Sequence, residues 1–139
     1  MLIVVPVTAL YAGLYALLLL AFAARVSRLR KSLKVGLGDG GQTPLARAIR
    51  VHGNAVEWGL PLLLLMLVAE LNHANRIVLH VCGIVFLLAR FAHASGLYAH
   101  SGESKGRFLG TSASWLVLAV LALWNIGAFL RALAAAAIG

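Results

Sequence analysis

Four long stretches that lack charge, or nearly lack it, dominate this sequence. An apolar helix needs about 20 residues to cross the hydrocarbon core of a bilayer. Residues 2–24 carry no charged side chain, and Arg25, Arg28, Arg30, Lys31 and Lys34 follow directly. Residues 110–130 are likewise uncharged. Between them lie two further apolar runs, and the pattern predicts helices over residues 2–27, 44–69, 76–98 and 109–131. The chain has 139 residues, 62% of them hydrophobic and 12% charged. That leaves too little polar surface to cover a water-soluble globule and too little length for a second domain. The expected architecture is an all-α integral membrane protein, a single membrane domain over residues 1–139 built as a four-transmembrane-helix bundle.

Charge placement sets the expected topology. A cleaved signal peptide carries its positive charges before a shorter apolar run, whereas here they come after a long one. Loop one holds five basic residues, loop two Arg76, loop three Lys105 and Arg107, and the tail Arg131. Basic loops stay in the cytoplasm, so loops one and three are expected there and both termini on the non-cytoplasmic side. The net charge of +8 is thus a membrane-topology signal, and no nucleic-acid partner is expected. Cys82 is the lone cysteine and lies in an apolar stretch, which fits a small core residue. Gly36, Gly38 and Gly41 spell G-x-G-x-x-G, but no strand precedes them and the match carries no nucleotide chemistry. His93 and His100 lack a carboxylate or cysteine at ligand spacing, so no metal is expected.

The second span carries the chemistry. Arg47, Arg50, Asn54, Glu57 and Pro61 follow one another at offsets of three, four, three and four, which is one helical face. Each ionisable group inside a span costs about 3 kcal/mol by insertion scales. The stripe must therefore meet a protein interior, a water-filled cavity or a polar ligand. Arg50 and Glu57 are separated by roughly 10 Å along the axis at ~1.5 Å per residue, a distance that disfavours a direct pair. Asn54, a neighbouring helix, another subunit or a bound molecule is expected between them. A structural polar network is the plain alternative. Arg90 and His93 in the third span, with Gly96 and Tyr98 after them, form a second polar set near the same end.

The run Arg50, Asn54, Glu57, Pro61, of the form R-x-x-x-N-x-x-E-x-x-x-P, resembles the second helix of the MAPEG family, the membrane-associated proteins in eicosanoid and glutathione metabolism. Arg90, Gly96 and Tyr98 resemble that family's third helix. The likeness covers almost the whole chain and is strongest to the small bacterial members. Trp58, after Glu57, and His93 both stand where eicosanoid-forming members tend to carry tyrosine. The resemblance implies a homotrimer in the bacterial inner membrane, with glutathione as co-substrate and a hydrophobic small molecule arriving from the bilayer. It implies glutathione contacts at Arg47, Arg50, Asn54, Glu57, Arg90, His93 and Tyr98. It implies a thiolate-stabilising catalytic cation at Arg107, with Lys105 second. The activity it suggests is a glutathione-dependent transferase or peroxidase. The alternative is a non-catalytic membrane protein of the same fold that binds lipid or a partner protein. A transporter ranks last, since the spans show neither breaks nor an inverted repeat.

Overall fold

The computed structural model describes residues 4–100 and 102–138. The expected first two residues of span one, Leu2 and Ile3, fall outside that range, as does Ser101 of loop three. The described chain is helical throughout, with α1 at Pro6–Leu33, α2 at Thr43–Leu71, α3 at Arg76–Ala99 and α4 at Lys105–Ile138. All four are long and apolar enough to span a membrane. The packing is a rhombus: α2 and α3 touch each other and both outer helices, while α1 and α4 stand apart on opposite sides.

The helices overrun their expected bounds for local reasons. Arg28 to Leu33 continue α1 because straight-chain basic residues are good helix formers. The helix stops where Lys34 turns left-handed at φ 56° and its N–H bonds the Arg30 carbonyl. The alanine tail extends α4 to Ile138 for the same propensity reason. At the start of α2, Gln42 is the capping residue and Pro44 is second in the helix, one position later than expected. The Gln42 carbonyl accepts from both Leu45 N and Ala46 N at 3.0 and 2.9 Å, which opens the helix one residue early. The glycine-rich loop is a folded turn: Gly38, Gly40 and Gly41 all have positive φ. The Arg30 guanidinium donates to the Gly38 carbonyl at 2.9 Å and closes the turn.

Two tyrosines dock α1 onto the central helices. Tyr15 is buried, donates to the Ala55 carbonyl at 2.7 Å and stacks tilted on Phe86 at 5.1 Å. Gly59 makes this possible, since a Cβ there would overlap the Tyr15 ring. Tyr11 lies over Gly83 in the same way and donates to the His80 carbonyl at 3.0 Å. On the other side, Gly110 lets α4 approach the α3 backbone so closely that a Cβ would collide with the Ala89 carbonyl and His93. Small residues at such contacts are how membrane helices gain packing without a hydrophobic drive.

Glu70 falls just past the expected end of the second span at residue 69, yet it belongs to α2. It lies buried at the end of α2, and its carboxylate accepts from Val7 N at 2.9 Å and Thr8 N at 2.7 Å. The first amides of α1 have no helical acceptor, and Val5 at the cap offers no side-chain bond. A carboxylate brought in from α2 satisfies two of them and meets the positive end of the helix dipole. Removing it leaves buried amides unpaired. Glu70→Ala is expected to lower unfolding stability in detergent by about 2 kcal/mol, with Glu70→Gln losing less because an amide oxygen still accepts. Thermal unfolding followed by helical circular dichroism checks the order of the two variants.

Candidate functional site

Arg90 sits at the centre of the polar set, 2% exposed and held by three protein acceptors. Its Nη1 donates to Asn54 Oδ1 at 2.8 Å, and its Nη2 donates to the Gly110 carbonyl at 2.9 Å and to Ser114 Oγ at 2.7 Å. Ser114 in turn donates to the Gly110 carbonyl at 2.7 Å. One guanidinium thus joins α2, α3 and α4 through neutral partners, and its Nε is buried without a bond among the described residues. Among the described residues no carboxylate lies within ion-pair distance of it. This is the planar, multi-donor geometry for which arginine is suited and lysine is not.

The remaining charges of the stripe turn outward. Arg50 Nη1 meets Glu57 Oε1 at 2.9 Å, a direct ion pair where a gap too wide for one was expected. The axial separation is spanned because residues two helical turns apart share a face, and both side chains lie along the surface towards each other. Nothing has to stand between them. The pair is also outside the single chain's interior, with its side chains 61% and 54% exposed. The stripe therefore divides: Asn54 points into the bundle, while Arg50 and Glu57 remain on the outer surface of α2. Four residues beyond Glu57, Pro61 sits inside the helix. It has no N–H for the Glu57 backbone carbonyl, which weakens the helix at that point.

The other expected residues gather at the basic end of the bundle. Arg47 and Arg50 line one recess with Asp39, Thr43 and Leu97, about 280 Å³ in volume. His93 is buried and lines a second recess of about 460 Å³ with Glu103, Ser104, Arg107 and Thr111. Arg107 Nη1 donates to the Gly102 carbonyl, folding the side chain back over the start of α4. Lys105 faces a neighbouring recess with Glu103 and Phe108, away from His93. Arg47 reaches the end of α3, donating to the Tyr98 and Ala99 carbonyls at 3.0 and 3.3 Å. Tyr98 presents its ring to Arg25, whose Cζ lies 4.1 Å from the centroid.

Ser114 and Arg25 in this network escape a reading by spacing within single helices, as does Glu70 at the opposite end of the bundle. Ser114 completes the row Gly106, Gly110, Ser114, whose small-residue spacing signals close packing but says nothing of an arginine opposite. Arg25 reads as the first of a basic run, and Glu70 as loop.

The fold and site define a four-span membrane protein with a buried arginine clamp and an outward ion pair on its second helix. Residues 8–127 match the MAPEG family model. Over 120 residues the chain is 45% identical to inner membrane protein YecN of Escherichia coli strain K12, covering 86% of this chain and 90% of that one. The counterpart in Escherichia coli O6:H1 strain CFT073 shows the same identity and coverage. The chain belongs to the MAPEG family.

Breaking the clamp leaves buried acceptors unsatisfied. Arg90→Leu is expected to cost about 3 kcal/mol of unfolding stability, because Asn54 and Ser114 both lose their donor. Ser114→Ala is expected to cost about 1 kcal/mol, since the Gly110 carbonyl still accepts from Arg90. Denaturation in mixed micelles measures both, and equal losses would contradict the arrangement.

Proposed function

We propose that this protein is a glutathione-dependent transferase or peroxidase of a bacterial inner membrane, acting on lipophilic electrophiles, with its site completed between subunits of a homotrimer. The observation that carries this reading is the outward Arg50–Glu57 pair. A charge pair on the outer face of a spanning helix is costly against acyl chains, so it calls for a polar cover. A second copy of the chain together with a polar ligand supplies one. Glutathione brings two carboxylates, an ammonium group and a thiol. Arg47 and Arg50 suit the carboxylates through two-pronged bonds, and Glu57 suits the ammonium.

Arg107 lies beside the buried His93 in the recess at the same end. A guanidinium there favours the thiolate, which is the reactive form of the sulfur. With a chloronitrobenzene the sulfur–carbon bond forms as chloride leaves, and the thiol proton passes to solvent. The apolar outer faces of the helices offer such an electrophile a route from the bilayer. Basic loops one and three support a cytoplasmic placement of this end, with both termini opposite.

A second reading has its own support. Asn54 accepts from Arg90, and Arg90 also donates to the α4 residues Gly110 and Ser114, so two of the expected glutathione contacts already close on protein. That favours a non-catalytic member that keeps the fold to bind lipid or a partner protein.

Titrating detergent-purified protein with glutathione, followed by thiolate absorbance and thermal shift, separates the two. Saturable binding in the millimolar range or below is expected for the enzyme. Glu57→Gln and Arg50→Ala are expected to weaken binding about tenfold each, as charged hydrogen bonds are lost. Arg107→Ala is expected to slow turnover of the chloronitrobenzene by about a hundredfold with less effect on affinity. No binding at millimolar glutathione leaves the non-catalytic reading.

A further inference from the structure

A groove runs between α3 and α4 in the half of the bundle away from the basic end, and the glutathione reading uses none of its residues. Ile77, Val81 and Val85 line it from α3 and Leu116, Val117 and Val120 from α4, around a volume of about 260 Å³. No charged or hydroxyl-bearing side chain is among its lining residues. Ile77, Val81 and Leu116 are more than half exposed and form the rims, whereas Val117 is 4% exposed and forms the floor. Side chains branched at Cβ are stiff at χ1, so these walls need little ordering to receive a flexible chain.

The α4 side of the groove leads to a cation. Leu116, Val120, Trp124, Gly127 and Arg131 follow one another at offsets of four, four, three and four, which is one helical face. Arg131 is exposed, yet its side chain folds back along α4 and places Cζ 5.9 Å from the centre of the Trp124 ring. A Cβ at Gly127 would lie 3.4 Å from Nη1, so the guanidinium rests beside that glycine. Among the described residues it makes no hydrogen bond or ion pair. Its donors are open to an acceptor, and a planar guanidinium suits phosphate through two-pronged bonds.

Depth and charge select the occupant. Gly127 is twenty residues beyond Arg107, roughly 30 Å along α4 and equal to the thickness of the hydrocarbon core. With Arg107 at the basic face, the Arg131 guanidinium stands at the opposite headgroup level. Leu116 lies eleven residues below Gly127, about 16 Å, and half the core is about 15 Å. The groove therefore occupies the depth of one leaflet's acyl chains. A lipid with its phosphate on Arg131 passes its glycerol over Trp124 and lays one acyl chain between Val81 and Val120. A soluble phosphate gains nothing from the groove. A second copy of the chain has no carboxylate to bring to Arg131: Asp39 and Glu103 belong to the loops of the basic end, Glu57 is paired with Arg50, and Glu70 is closed on the α1 amides. A cation without an acid beside it favours a headgroup of net negative charge.

We propose that the groove between α3 and α4 binds an anionic phospholipid of the non-cytoplasmic leaflet, with Arg131 holding the headgroup phosphate and the valine-lined walls one acyl chain. The test uses the full chain, stripped of lipid in detergent, and follows retained lipid and oligomeric mass by native mass spectrometry. The probes are dioleoylphosphatidylglycerol, dioleoylphosphatidylcholine and inorganic phosphate. Phosphatidylglycerol is expected to be retained about fivefold more tightly than phosphatidylcholine, and millimolar phosphate not to displace it. Arg131→Gln is expected to weaken retention about fivefold, whereas Arg76→Gln, a cation at the same end but outside the groove, stays near the parent. Val81→Phe fills the groove from its exposed rim and is expected to weaken retention by a similar factor with Arg131 intact, while Ile126→Phe, outside the groove, has no effect. Both groove variants are expected to keep the parent's oligomeric mass and its response to glutathione, so the site stands or falls apart from the thiol reading. Equal retention of the two lipids overturns the proposal, as do equal losses from Arg131→Gln and Arg76→Gln, which reduce the effect to general surface charge. A changed oligomeric mass in Val81→Phe with lipid retention untouched gives the groove to a second copy and likewise sinks it. Should Val81→Phe not fold, Val120→Phe fills the same groove from α4, and unchanged retention by it has the same force.

Discussion

A guanidinium cannot be left bare in a hydrocarbon environment, and the interior of this bundle is arranged around that demand. Arg90 is satisfied by one side chain from α2 and by a hydroxyl and a carbonyl from α4. Those partners come within reach because α3 and α4 approach closely, and they do so because position 110 has no side chain. Inside lipid there is no hydrophobic drive between helices, so packing of small residues and internal polar bonds set their arrangement. Here the two devices occur together: the same Gly110 that permits contact also supplies an acceptor.

The periphery follows the same rule by other means. α1 carries no charge between Pro6 and Ala24, yet it does not pack as a featureless apolar rod. Tyr11 and Tyr15 bury their rings against Gly83 and Gly59 and place their hydroxyls on carbonyls of α3 and α2. Glu70 accepts the amides at its N-terminal end. In α4 the balance differs, for Leu116, Leu123, Ile126 and Phe129 face outward on the surface of the single chain. The outward Arg50–Glu57 pair breaks this pattern. It is a charged feature on a surface otherwise apolar, which is why the proposed function is built on it.

Much of the site is legible in the order of residues along the chain. Arg50, Asn54 and Glu57 stand out because polar residues in a span are rare and these share a face. Arg90 and His93 stand out for the same reason. The pairing among them was not legible. Spacing along one helix disfavoured an Arg50–Glu57 contact, because an axial distance between backbones ignores how far two long side chains lean along the surface. Likewise Asn54 and Arg90 are 36 residues apart, and nothing local says that one accepts a hydrogen bond from the other. Glu70 misled because a carboxylate beside Asn72 and His73 reads as loop polarity until the start of α1 is seen next to it.

The sequence by itself determined the solvent, the helix count and the end of the bundle at which basic residues collect. Those follow from hydropathy, from the length needed to cross a bilayer and from a tally of charges, all of which are properties of the chain read in order. Tertiary structure alone decided which polar groups close on one another and which remain on the surface. Asn54 and Glu57 are three residues apart on one helical face, yet one is bound to Arg90 in the core and the other is more than half exposed. That choice depends on where a neighbouring helix happens to lie, and a one-dimensional pattern holds no record of it.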